Sequence, residues 1–188
     1  MKTSRKELID LAKAWIAISI AFSVLLKGEL SLITGFLISG LTVGLGFLLH
    51  EMAHKYMAQK YGCFAEFRSF DFMLLLAVFM SFFGFIFAAP GAVMISGRVN
   101  NEKNGKISLV GPLTNLVLAL IFLFLTFSSI EIIKLIGSYG FTINSWLALF
   151  NMLPLWFFDG RKIYSWNKLV YFSALIFSIA LIVIGQLA

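Results

Sequence analysis

The chain has 188 residues, of which 60% are apolar and 13% charged; soluble domains are about half apolar and about a quarter charged. That excess excludes a water-soluble globular domain and predicts an all-α polytopic membrane protein with about five or six transmembrane helices, a single embedded unit over 1–188. The formal charge of +6 reflects lysines and arginines kept in cytoplasmic loops, not a nucleic-acid surface, and the lone Cys63 excludes an intrachain disulfide.

In chain order, Lys2, Arg5 and Lys6 precede an apolar run, Ala14 to Leu26. The Lys27-Gly28-Glu29-Leu30 that follows offers no small-residue cleavage site, so the run reads as a retained helix, about 8–26, with Lys13 snorkelling. A second helix is predicted from about Leu30 to Tyr61. Gly35, Gly40, Gly44 and Gly46 thin its faces for close helix approach, and Gly62 ends it. Cys63 to Phe70 suggests a short strand. Phe72 to Ala89 is strongly apolar and Pro90-Gly91 breaks it. Ala92 to Val99 reads as a second strand and Asn100 to Lys106 as a polar turn. Ile107 to Phe127 is a membrane helix with Gly111-Pro112-Leu113-Thr114-Asn115 near its start. Ser128 to Gly140 reads as a connection. Phe141 to Phe158 is the next helix, closed by Asp159-Gly160-Arg161-Lys162, and about 169–187 is the last. Trp156, Tyr164 and Trp166 fit an interfacial belt.

The chemistry is concentrated in His50-Glu51-Met52-Ala53-His54, which contains both histidines of the chain. Residues i and i+4 stack on one helix face, so the two imidazoles can share one Zn²⁺. Glu51 lies close by on the helix, where it can act as a general base. A catalytic zinc needs a third protein ligand and a position left for water. The best candidate is Asp159, in Asn151-x-x-Pro154-x-x-x-x-Asp159-Gly160, because an acid at membrane depth is costly without a cation. The bland alternative is an ordinary helix-end acid at the interface. Asn115 either orients a catalytic group or bonds a neighbouring helix, and Pro154 re-routes its helix.

At this point the chain resembles the site-2 protease family of intramembrane zinc metalloproteases. The resemblance rests on His50-Glu51-x-x-His54, Gly111-Pro112-x-x-Asn115 and Asn151-x-x-Pro154-x-x-x-x-Asp159-Gly160, in that order, and spans about Gly35 to Arg161. It implies that His50, His54 and Asp159 bind one Zn²⁺, that Glu51 is the general base, and that Asn151 holds the substrate carbonyl or its oxyanion. It also implies a small sheet whose edge pairs an unfolded segment of a transmembrane protein substrate. Ala92 to Val99, with Val93 and Ile95, is the candidate edge. The catalytic core is then about 30–162. The flanking helices, read as free of chemical groups, are the ones that would part to admit substrate. Two departures from the family stand out: no soluble peptide- or nucleotide-binding domain fits, and Arg161 stands where many members have a second glycine.

The site also constrains topology. For His50, His54 and Asp159 to share a depth, the helix carrying Asp159 must run parallel to the helix carrying His50, with Ile107–Phe127 opposite to both. Phe72 to Val99 then either re-enters, turning at Pro90-Gly91, or crosses twice. That arrangement puts 13 of the 15 lysines and arginines on one side, leaving Lys27 and Lys134 on the other. The positive-inside rule therefore places the N-terminus and the active site toward the cytoplasm. The alternatives to a protease are a non-proteolytic scaffold that binds membrane helices and a zinc-dependent transporter. Intact Glu51 and a full ligand set argue against the first, and the scarcity of charge along the other helices against the second.

Overall fold

A computed structural model describes residues 2–86, 90–155 and 158–187; Trp156 of the expected aromatic belt lies outside them. The architecture is helical with one small sheet. Among the described residues four segments are long and apolar enough to cross a membrane: Arg5–Gly28, Leu32–Lys60, Asn101–Leu125 and Lys168–Gln186. A further 21-residue helix, Glu131–Asn151, has the length but is diluted by Lys134, Asn144 and Asn151.

Helix α1 (Arg5–Leu25) starts at Ser4, whose side chain accepts from the Glu7 N–H, the usual relief for unpaired donors at a helix N-terminus. The second crossing comprises α2 (Leu32–Ser39), a π-helical turn (Gly40–Gly44) and α3 (Leu45–Lys60). The π turn has a visible cause. Trp15 of α1 donates its indole N–H to the Gly40 carbonyl at 3.0 Å, and a Cβ at Gly40 or Gly44 would press on that ring at 2.8 or 2.7 Å. Such single-turn bulges are characteristic of functional helices, and this one lies less than two turns ahead of His50.

After α3 come β1 (Phe64–Ser69), α4 (Asp71–Ser81) and β2 (Gly91–Ser96), the two strands pairing antiparallel with Ser69 opposite Gly91 and Phe67 opposite Val93. The chain thus leaves the sheet and returns to the same rung. At ~1.5 Å per residue, the 11 residues of α4 cover about half of a ~30 Å hydrocarbon core, so the segment is an excursion, not a crossing. The expected turning point at Pro90-Gly91 is corrected. The reversal begins at Phe82–Gly84, with Gly84 at φ +85°, while Pro90 accepts from the Phe70 N–H at 3.0 Å and leads into β2.

Helix α5 (Asn101–Leu125) begins six residues before the expected Ile107. The polar stretch read as a turn is its first turns, because the Asn100 side chain caps the Lys103 N–H at 2.8 Å. Helix α6 (Glu131–Asn151) likewise begins within the stretch read as a connection. Gly137 and Gly140 lie inside the helix; a Cβ there would meet the Thr126 backbone at 2.7 Å or strike the Phe122 ring, so they let α6 lie directly on α5. The expected helix Phe141–Phe158 stops at Asn151, three residues before Pro154, which cannot supply the next N–H. Asp159 therefore does not end a membrane helix. It opens a short helix, α7 (Asp159–Trp166), followed by α8 (Lys168–Leu187).

Helix α5 is the central element, packed on α3, α6 and α7. The first helix is not free of chemical groups as expected. Glu7 has no exposed surface and Asp10 is buried. Glu7 pairs with the equally buried Lys55 of α3 at 2.5 Å.

Candidate metal centre

Two elements converge on one point. His50 and His54 project from one face of α3, one turn apart, and Asp159 comes from the first residue of α7; all three are buried. The Nε2 atoms of the two rings are 3.0 Å apart. Asp159 Oδ2 lies 3.0 Å from His54 Nε2 and 3.4 Å from His50 Nε2. Among the described residues this is the one cluster of three or more potential metal-ligating side chains.

The surroundings decide what such a triangle can hold. His50 Nδ1 is 2.6 Å from Asn115 Oδ1, and His54 Nδ1 is 2.7 Å from the Ile107 carbonyl. The Asn115 amide is oriented by its nitrogen, which donates to the Gly46 carbonyl at 3.2 Å and to Asn144 Oδ1 at 3.1 Å. Both Nδ1 atoms therefore face oxygens that only accept, so each Nδ1 carries its ring's proton and each neutral ring presents Nε2 as a bare lone pair. Two lone pairs and a carboxylate oxygen in van der Waals contact repel one another unless positive charge lies between them. At ~2.0–2.1 Å from a common ion, tetrahedral donors stand about 3.4 Å apart, close to the spacing found. A set of two imidazoles and one carboxylate suits zinc better than a harder cation.

Glycines make the convergence possible. Gly111 of α5 lies against both imidazoles, and a Cβ there would run into the His54 ring and come within 2.7 Å of His50 Cε1. Gly160 lets the start of α7 rest on the end of α6, where a Cβ would meet the Leu153 carbonyl at 2.7 Å and the Met152 backbone more closely still. This contact seats Asp159.

Glu51, buried beside the rings, accepts at Oε2 from the Val93 N–H of β2 at 3.1 Å. Val93 is partly buried and Ile95 exposed on the same strand. Asn151 is the last residue of α6, and its amide nitrogen donates to Leu147 of its own helix at 2.9 Å. Pro154 is exposed beyond the helix end. Asn115 does both things expected of it in the alternative: it orients His50 and it ties α5 to α3 and α6. Asn144 escaped the sequence reading. Its signal was there, because it lies seven residues before Asn151 on the same face of the same helix.

No family model matches the chain, and no solved structure matches it. It is 43% identical over 172 residues, 89% of this chain and 88% of the other, to a protein of Methanocaldococcus jannaschii named "Putative zinc metalloprotease MJ0611".

Proposed function

The chain belongs to the zinc metalloprotease family of its Methanocaldococcus relative, and from that premise we propose that it is an intramembrane member, of the site-2 protease type. In this reading it hydrolyses peptide bonds within or near transmembrane segments of membrane proteins, with site and N-terminus toward the cytoplasm. The observation that carries the reading is the buried convergence of His50, His54 and Asp159 beside Glu51 in a chain with four candidate membrane spans.

His50, His54 and Asp159 are the residues that would hold the ion. Zinc supplies a Lewis acid that polarises a carbonyl and brings water near neutrality in pKa. The chain does the rest. Asn115 and the Ile107 carbonyl hold the two Nδ1 protons, so the Nε2 lone pairs stay directed inward. Glu51 takes the proton of the attacking water and returns it to the leaving amine. Asn151 is the amide we assign to the substrate carbonyl. At rest it donates to Leu147, and substrate redirects it, a contact whose loss typically costs roughly 10²–10³ in rate. A membrane helix hides its carbonyls, so the substrate must unwind locally and have its freed backbone groups satisfied by a strand edge.

Glu51→Gln tests the reading. Purified in detergent, the variant should keep wild-type zinc content and cleave no membrane-protein substrate that the wild type cleaves. Cleavage that survives the change would overturn Glu51 as the base. An inert wild type that nonetheless retains substrate would favour the scaffold, and zinc-dependent flux unaffected by the change would favour the transporter.

A further inference from the structure

The sheet is capped on both outer edges by carboxylates, and at the same rung. In an antiparallel ladder every second residue turns its N–H and C=O away from the partner strand. On β1 both outward groups of Phe67 and the outward carbonyl of Ala65 are occupied. The Phe67 N–H donates to Glu7 Oε1 at 2.9 Å, the Phe67 carbonyl accepts from Arg68 at 2.8 Å, and the Ala65 carbonyl accepts from Gln59 at 3.1 Å. On β2 the outward residues are Val93, paired in register with Phe67, and Ile95, paired with Ala65. Here Val93 donates to Glu51 Oε2 at 3.1 Å, and among the described residues Glu51 is the one side chain bonded to that edge.

The two caps differ in what holds them. Glu7 is fully buried against the Lys55 ammonium, and withdrawing it would strand a buried charge. That edge is shut. Glu51 has no such lysine partner among the described residues, and its carboxylate is tied to the edge by one hydrogen bond. That edge can open.

We propose that the Val93 N–H is a substrate-positioning group which Glu51 occupies only in the resting enzyme. An extended substrate segment pairs with β2, its carbonyl takes the Val93 N–H, and the displaced Glu51 carboxylate becomes free to serve the reaction. A segment that is still helical has no carbonyl to offer, so it leaves the base tied to the strand. Selection for unwound substrate is thereby built into one backbone N–H. This inference rests on the protease reading above, but its test does not depend on turnover.

The test is residue-resolved amide exchange on the zinc-loaded protein in nanodiscs. Glu51→Ala should speed exchange at Val93 about tenfold, the equivalent of one hydrogen bond, while the ladder-bonded amides of Ala92 and Met94 stay unchanged. An extended tripeptidyl hydroxamate added to that variant should restore protection at Val93 and extend it to Ile95; acetohydroxamate, with the same zinc-binding head and no strand, should not. Exchange at Val93 that is equal in wild type and Glu51→Ala would overturn the resting contact. So would exchange that the tripeptidyl compound leaves unaltered at saturation. As a second arm, Val93→Pro removes the donor at an outward position where the ladder needs none. It should weaken binding of the tripeptidyl hydroxamate to the zinc-loaded protein about tenfold and leave acetohydroxamate binding as it was; equal loss for both would overturn the assignment. Failure of the protease reading would show separately, as a wild type that cleaves no membrane protein.

Discussion

The Lys55 ammonium lies 2.5 Å from the Glu7 carboxylate, and neither residue retains any exposed surface. Lys55 directly follows His54 on α3, and Glu7 also holds the Phe67 N–H of β1. The pair therefore joins α1, the metal helix and the sheet. Removing one partner of a buried pair costs about 3–5 kcal/mol, whereas replacing both by apolar residues of similar size is often near neutral. Lys55→Met alone should lower the thermal unfolding midpoint in detergent sharply. Lys55→Met with Glu7→Leu should recover much of it, short of the bond lost at Phe67. A single substitution as mild as the double would mean that the pair does not couple these elements. The same pair bears on access. Any opening that admits substrate leaves the N-terminal end of α1 in place, because that end is fastened to α3.

Zinc content follows from the ligand set. Wild type should bind one ion, and Asp159→Asn or His54→Phe should each fail to retain it through dialysis. Binding to the folded protein at 1,000 times the dissociation constant adds about 4 kcal/mol of stability, so a chelator should lower the midpoint of the wild type and leave that of His54→Phe unmoved. Stoichiometric metal in either variant would show the ligand set to be wrong.

Much of this site was legible in the sequence because its residue types and local spacings are dictated by chemistry. His50 and His54 at i and i+4 can be read as a pair without any fold, and Asp159 by the cost of an acid near lipid. What could not be read was contact at long range. Glu7 and Lys55 are 48 residues apart, and nothing local marks either as buried. Helix limits failed where polar or small residues do work that composition hides. Asn100 caps α5 where it looked like part of a turn, and Gly137 and Gly140 fit α6 onto α5 in a stretch that looked like a connection. The stop at Asn151 moved Asp159 from the end of one helix to the start of another without moving it from the site.

Asn115 holds His50 in one tautomer and is itself held by Gly46 and Asn144. Loss of such an outer partner typically lowers metal affinity about 10–100-fold. Asn115→Ala should do so in a competition titration with a chelator, and Asn144→Ala, one step further out, should do so more weakly. If Asn144→Ala were the more damaging of the two, the order of the chain from Asn144 to Asn115 to His50 would be wrong.

Gly111→Ala makes the sharpest demand on the geometry. On an exposed helix this change is favourable by about 1 kcal/mol, since alanine is the better helix former. Here the added methyl would lie on the His54 ring and 2.7 Å from His50 Cε1. Neither ring can retreat freely, because their Nδ1 atoms are bonded to Asn115 and Ile107 on the same helix that carries the new methyl. Pushing the rings away therefore breaks the contacts that set their tautomers, and pushing α5 away opens the most extensively packed helix of the molecule. Gly111→Ala should consequently fold, keep its helical circular dichroism and lose zinc affinity by at least the amount that Asn115→Ala loses. Undiminished zinc binding in that variant would show that α5 does not approach the histidines as described, and the triangle of His50, His54 and Asp159 would have to be closed in some other way.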